Sequence, residues 1–271
     1  MTEIVSQKRT RRFATPAAPS RVLELRWGGA SDIGRRRAIN EDSLVALPGL
    51  VAVADGLGGH SAGDVASAAA AHRLADRAKA RSRAGELLTP DELAQAFAEA
   101  SDEILLKTAG TAHGSGTTVS GLAVVEHEGA PALLVFNIGD SRVYRWRDGV
   151  LVQITVDHSY VQELVDAGRL QAELAEHHPD ANIITRALGF GEVPPHDSWL
   201  LRPAAGDRYL ACTDGLTREV PVERITQLLG AGGTPPETAK ALIAEANAAG
   251  GRDNITVGIL DVLAAPTAVG A

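Results

Sequence analysis

The sequence predicts an α+β fold, a four-layer α/β/β/α sandwich in which two mainly antiparallel sheets stack face to face with helices outside. Three observations predict it. Residues 115–156 hold strand-like runs in direct succession, and their breaks are too short for the crossover of a dozen or more residues that parallel strands need. Further strand-like runs open and close the chain, giving two blocks of strands. Two pairs of helical stretches lie between and after those blocks, enough to cover the two outer faces of a stacked pair of sheets.

Taken in order, VLELRWGGAS (22–31) alternates as a first strand and runs into the charged loop DIGRRRAINED. SLVAL and LVAVA form a hairpin turning at Pro48-Gly49. From Ser61, the expected N-cap, the period changes: Ala62, Val65, Ala66 and Ala69 mark the small-residue face of a helix to about Lys79. Thr89-Pro90-Asp91-Glu92 is a capping box with proline at the first helical position, and the helix behind it carries Leu93, Ala96, Phe97, Ala100 and Ile104 on one face. TTVSGLAVVEH, PALLVFNIG and SRVYRWR are the antiparallel strands, the last turning at Asp148-Gly149 into VLVQITV. HSYVQELVDAGRLQAELAEHH reads as a helical insertion, DSWLLRP and DRYLACT return to strand, and PVERITQLLG is helical. Thr234-Pro235-Pro236-Glu237 repeats the capping box ahead of a helix to about Ala249, and NITVGILDV is the closing strand.

At 271 residues the chain is long enough for a substantial core, and no linker or repeat divides it after residue 22, so residues 22–263 are expected as one domain. With 45% apolar but only 4% aromatic residues, that core must be built from Ala, Val, Leu and Ile. The single cysteine, Cys212, excludes an intramolecular disulfide and a cysteine-based zinc site, and sits in an apolar strand as a core filler; cytoplasm is the expected compartment. Residues 1–21 carry Lys8, Arg9, Arg11, Arg12 and Arg21 against Glu3 alone and are expected as a disordered tail, as is the C-terminus, 264–271. The net charge of −8 therefore understates how acidic the body is, which argues against a nucleic-acid partner. No leader is expected, because no apolar stretch follows those arginines, and nothing approaches the roughly 18 apolar residues that cross a membrane.

The informative stretch is LVAVADGLGGH (50–60), where an apolar run delivers Asp55 into a loop of glycines. A carboxylate at the end of a rigid strand, beside unshielded peptide carbonyls, suits a hard cation; Asp-Gly is also an ordinary turn. The pattern recurs at Asp214-Gly215 after YLAC, at Gly139-Asp140-Ser141 after ALLVFNI, and in mirror image at Asp253-Asn254 before ITV. If those ends converge, the carboxylates repel one another unless cations lie between them. Every donor in the set is an oxygen, which favours Mg or Mn over zinc or copper.

SDIGRRRAINEDS, VAVADGLGGHSAG, GSGTT, IGDSR, DHS, ITRALG, CTDGL and GGRDNITV occur in the order found in the metal-dependent Ser/Thr protein phosphatases of the type 2C family, and residues 25–262 resemble the compact bacterial form. The resemblance implies hydrolysis of phosphoserine and phosphothreonine in proteins by a hydroxide bridging two Mn2+ or Mg2+ ions. By it, Asp55 bridges both ions, the Gly56 carbonyl completes one, and Asp214 and Asp253 hold the other. Glu41 and Asp42 act mostly through bound waters, Asp140 with Asp214 holds a third and weaker ion, Arg37 binds phosphate, and Asn254 orients Asp253. It implies a flap at about 159–178 that influences substrate choice, phosphoprotein substrates shared with a Ser/Thr kinase, and a monomer. Leu57 stands where animal members of the family carry a histidine proposed as general acid, so the leaving group must draw its proton from water or elsewhere, His60 being nearby.

Two other readings exist. Gly59-His60-Ser61-Ala62-Gly63 fits the G-x-S-x-G elbow of serine hydrolases, although DGLGG separates Ser61 from the strand end and the antiparallel runs disagree with that fold. A pseudophosphatase that binds phosphoproteins without turnover requires a lost metal ligand, and none is missing.

Overall fold

The computed structural model describes residues 1–6, 9–58, 62–109 and 114–266. In chain order the elements are β1 (Thr2–Val5), β2 (Thr10–Thr15), β3 (Ala18–Asp32), β4 (Ser43–Leu47), β5 (Leu50–Ala54), the short β6 (Gly56–Leu57), α1 (Gly63–Ala84) and α2 (Pro90–Lys107). There follow β7 (Gly116–Thr117), β8 (Val119–His127), β9 (Ala130–Ile138), β10 (Arg142–Arg147), β11 (Val150–Gln153), α3 (Tyr160–Asp166) and α4 (Ala172–Ala175). The last are β12 (Asp197–Leu201), β13 (Arg208–Cys212), α5 (Asp214–Thr217), α6 (Val222–Gly230), α7 (Pro235–Ala249) and β14 (Ile255–Ala264).

One sheet runs β1-β4-β5-β8-β9-β12 and the other β11-β10-β13-β14-β3-β2. Among the described residues every strand-to-strand pairing is antiparallel except β1 with β4. The continuous apolar runs of β4 and β5 are explained by period-two alternation between two hydrophobic layers. Leu44, Ala46, Val51 and Val53 join Leu23, Leu25, Trp27 and Val143 between the sheets, whereas Val45, Leu47, Ala52 and Ala54 meet Ala66, Ala70, Leu93 and Phe97 of α1 and α2. A third layer packs Leu210, Cys212, Val257 and Ile259 against Leu229 of α6 and Leu242 of α7. Burial raises the Cys212 thiol to about 12, which keeps it protonated as an inert core residue.

Both capping boxes form as expected: the Thr89 side chain accepts from the Glu92 amide at 3.3 Å, and the Thr234 amide donates to Glu237 at 2.9 Å. Helix α1 ends at Ala84, beyond the expected Lys79, where Gly85 takes the left-handed conformation with φ 73°. Its N-cap is Ala62; the expected cap, Ser61, lies outside the described residues, as do 267–271 of the expected C-terminal tail.

The basic N-terminal stretch is corrected. Instead of a disordered tail, β2 is the edge strand beside β3, and β1 adds in parallel to β4 on the opposite sheet. The residues of β2 alternate, with Phe13 and Thr15 buried and Arg12 turned to solvent, where its guanidinium meets Glu24 at 2.9 Å. Charged side chains on the solvent side of an edge strand look like a disordered segment by composition, yet they are what keeps such an edge from pairing with another molecule. No helix among the described residues is long and apolar enough to cross a membrane.

Candidate functional site

The topology brings the recurring aspartates together. Strand β10 pairs with β13 through Arg142 opposite Cys212, so Asp140, two residues before one, and Asp214, two residues after the other, share one end of the sheet. Cys212 is also opposite Val257 of β14, which puts Asp253 at that same end. Strand β5 of the facing sheet delivers Asp55. All of these line one cleft of about 320 Å³, together with Arg37, Glu41, Gly56, Leu57, Asn182, Ile184, Arg218 and Asn254.

Local hydrogen bonds fix each member. The Asp55 amide donates to Thr118 Oγ1 at 3.0 Å, and the Asp55 carbonyl accepts from the Thr118 amide and the Thr117 hydroxyl, both at 2.9 Å. Thr118 Oγ1 is also 2.8 Å from the Ser141 hydroxyl, which links Asp55 to the turn that carries Asp140. His158, of the DHS motif, holds that turn from the other side: its Nδ1 accepts from the Gly139 amide at 3.1 Å. At Gly56, an added Cβ would overlap the carbonyl oxygens of Gly63 and Glu41, so only glycine lets β6 pass so close.

Asn254 differs from expectation. Its backbone amide donates to Asp253 Oδ1 at 2.8 Å, whereas its side chain accepts from the Glu41 amide at 2.8 Å and donates to the Ile33 and Ile39 carbonyls at 3.0 Å. The side chain thus clamps the 33–41 loop, bearing Arg37 and Glu41, onto the start of β14. Asp42 lies beneath the cleft rather than on its wall: it is 1% exposed, and its Oδ2 accepts from Thr213 Oγ1 at 2.9 Å.

Burial and mutual repulsion dominate the electrostatics. Burial, reinforced by Asp214 and Asp157, raises Asp140 to about 7. Burial raises Asp42 to about 7 against the hydrogen bonds of Thr256 and Thr213. It lifts Asp55 well above the usual carboxylate range, with Asp42 and Asp214 adding to the effect. Asp214 is raised by burial too, despite Arg218, and lies within hydrogen-bonding reach of Asp55. Arg37 Nη2 meets Asp253 Oδ2 at 2.7 Å, and Arg218 Nη2 meets Asp214 Oδ2 at 2.7 Å. Arg218 is absent from the sequence reading; its position four residues after Asp214, on the same face of a helical turn, is the signal that could have found it.

The donor chemistry fits a hard divalent cation. Glu41 Oε1, Asp140 Oδ1 and Asp214 Oδ1 are buried oxygens without a hydrogen-bond partner, which is costly unless a cation meets them. Among the described residues no group of three or more His, Cys, Asp or Glu side chains is preformed around one point, so a shell here would draw on backbone carbonyls or water as well.

The sequence signature described as Protein phosphatase 2C matches residues 35–232. The chain belongs to this family. It is 41% identical over 250 residues to the serine/threonine protein phosphatase PstP of Mycobacterium tuberculosis, a match covering 89% of this chain and 46% of that protein, so the chain spans about half the length of this relative. To the serine/threonine phosphatase stp of Listeria monocytogenes it is 37% identical over 238 residues, covering 84% of this chain and 92% of that one. The crystal structure of the PstP catalytic domain in complex with two manganese ions superposes with a TM-score of 0.76 at 38% identity, covering 89% of this chain and 99% of that chain. The two-sheet architecture is that of these family members. A serine-hydrolase reading is not favoured, since that fold needs parallel strands alternating with helices; Gly59, His60 and Ser61 lie outside the described residues.

The close packing at this end of the sandwich depends on Gly215. A Cβ there would overlap the Asn254 carbonyl oxygen, so α5 would have to lift away from the start of β14. Gly215→Ala is expected to cost about 2 kcal/mol, a typical overpacking penalty, and to part Asp214 from Asp253. A chemical-denaturation midpoint equal to that of the parent chain would contradict this.

Proposed function

We propose that this chain hydrolyses phosphoserine and phosphothreonine in proteins with two bound Mn2+ or Mg2+ ions. The observation that carries the reading is the convergence of Asp55, Asp140, Asp214 and Asp253 on one cleft that also contains Arg37 and holds buried, unpartnered carboxylate oxygens. Asp55 would serve both ions, with the Gly56 carbonyl, Asp214 and Asp253 completing the inner set, and Glu41 contributing through water. Asp140 with Asp214 offers ligands to a third, weaker ion. Bound ions would acidify a shared water for in-line attack on phosphorus and neutralise the dianionic ester.

The chain's own residues do the rest. Arg37, 48% exposed and now paired with Asp253, can swing its fork onto phosphate oxygens and give bidentate recognition that lysine would supply less well. Leu57 and Ile184 wall the cleft with apolar surface and offer no proton, so the leaving group takes its proton from water, a metal-bound water or a group elsewhere. Helices α3 and α4 lie in the segment, 159–178, that we take as the flap. A further cavity of about 430 Å³ lies between them and α5 and shares Asp140, Asn182, Asp214, Arg218 and Asp253 with the cleft, so changes in this segment should alter substrate choice. The single buried cysteine suits a reducing compartment, and we place the chain in the cytoplasm as a monomer that opposes a Ser/Thr kinase.

The test is phosphate release from phosphoserine, phosphothreonine and phosphotyrosine peptides with Mn2+, with Mg2+ and with EDTA. Turnover of the first two, abolished by EDTA, is expected. Binding of the peptides without turnover would mean a pseudophosphatase, and labelling of Ser61 by a fluorophosphonate with EDTA-resistant activity would mean a serine hydrolase.

A further inference from the structure

We propose that the Arg218 guanidinium is the resident cation of the Asp140–Asp214 carboxylate pair, so that a divalent ion binds this pair only by displacing it. The proposal rests on the two-ion reading above and concerns the weak position beside that centre. Arg218 Nη2 lies 2.7 Å from Asp214 Oδ2 and 3.8 Å from Asp140 Oδ2, a single fork facing both carboxylates. The arrangement is built in by chain geometry: Arg218 follows Asp214 by one helical turn, with its amide donating to the Asp214 carbonyl at 2.9 Å.

The other guanidiniums around the flap cavity are committed elsewhere. Arg142 meets Asp157 at 2.8 Å and Glu176 at 3.2 Å, and Arg252 meets Glu219 at 2.9 Å. Arg218 is therefore the guanidinium in ion-pair range of both Asp140 and Asp214, while Arg142 acts on the two carboxylates from further off. Each carboxylate still has a buried second oxygen without a partner, so the arginine compensates the pair only in part. Its side chain is 39% exposed and lines both the cleft and the flap cavity, which gives it solvent to move into when a divalent ion arrives. A divalent ion on this pair would compete for the Asp214 oxygen that Arg218 now occupies and would meet the guanidinium charge a few ångströms away with no carboxylate bridging the two, so its binding pushes the arginine out. The affinity of the weak ion is thus set by the cost of expelling Arg218.

The experiment is a Mn2+ titration by isothermal calorimetry, counting ions and their affinities in the parent chain, R218A, R218Q, R218K and the double variant R218A/D140N. The weakest Mn2+ is expected to bind about tenfold more tightly in R218A and R218Q, the effect of removing one partly solvated charge at this range, and as in the parent chain in R218K. The gain should vanish in R218A/D140N while the tighter ions remain. Equal weak-site affinity in the parent chain, R218A and R218Q would overturn the proposal, and so would a gain that survives loss of Asp140. Should R218A not fold, R218Q, which keeps most of the side-chain volume, carries the same comparison. A parent chain that binds no Mn2+ at all would overturn the two-ion reading itself, an outcome distinct from tight binding that is indifferent to Arg218.

Discussion

Asp55→Asn or Asp214→Asn is expected to lower turnover of p-nitrophenyl phosphate about a thousandfold or more without unfolding the protein. Each change removes a carboxylate from the centre of the cleft, and the loss of several kcal/mol of charge stabilisation in the transition state corresponds to a factor of that size. The fold should survive, because Asp55 is fixed by its backbone amide and carbonyl to Thr118 and Thr117, bonds that asparagine keeps. In EDTA these variants should melt no lower than the parent chain, since each removes one of a set of buried like charges that raise one another's pKa. Activity close to that of the parent chain in either variant would refute the site, and collapse of both in EDTA would assign these aspartates a structural role instead.

Thermal stability should depend on pH and on Mn2+ together, with opposite signs. Burial raises Asp42 and Asp140 to about 7 in the native state and raises Asp55 and Asp214 as well, whereas the unfolded chain's carboxylates titrate near 4. Between those values the native protein holds protons that the unfolded chain has released, so stability must fall as pH rises through that window. In EDTA the Tm is expected to be lower at about pH 7.5 than at about pH 5.5 by about 5 °C, the order expected for a few kcal/mol in a chain of this length. Divalent ions bind the deprotonated carboxylates, so saturating Mn2+ should stabilise most at the higher pH and remove or reverse the slope, by about 10 °C at about pH 7.5. A Tm that is flat with pH and unmoved by Mn2+ would mean that these carboxylates do not share one buried site.

Particular residues show where sequence reasoning stopped. The capping boxes at Thr89 and Thr234, the turn at Pro48-Gly49 and the alternation in the strands are local, and local rules read them. The β2 strand escaped because its evidence is not local: Arg11 and Arg12 look like a solvated tail until β3 supplies the partner that makes Phe13 a core residue. The role of the Asn254 side chain escaped for the same reason, since its partners at Ile33, Ile39 and Glu41 lie more than two hundred residues earlier in the chain.

By itself, the sequence determined the layered α+β class, the family through its ordered motifs, and the aspartates that stand at strand ends, because periodicity and short motifs are written in neighbouring residues. Tertiary structure alone decided that those ends meet, that Asp42 lies under the cleft and not on it, and that Arg37 and Arg218 neutralise Asp253 and Asp214. Repulsion among buried carboxylates, and its compensation by an arginine, depends on distances of a few ångströms between segments far apart in the chain, and strand register is what sets those distances.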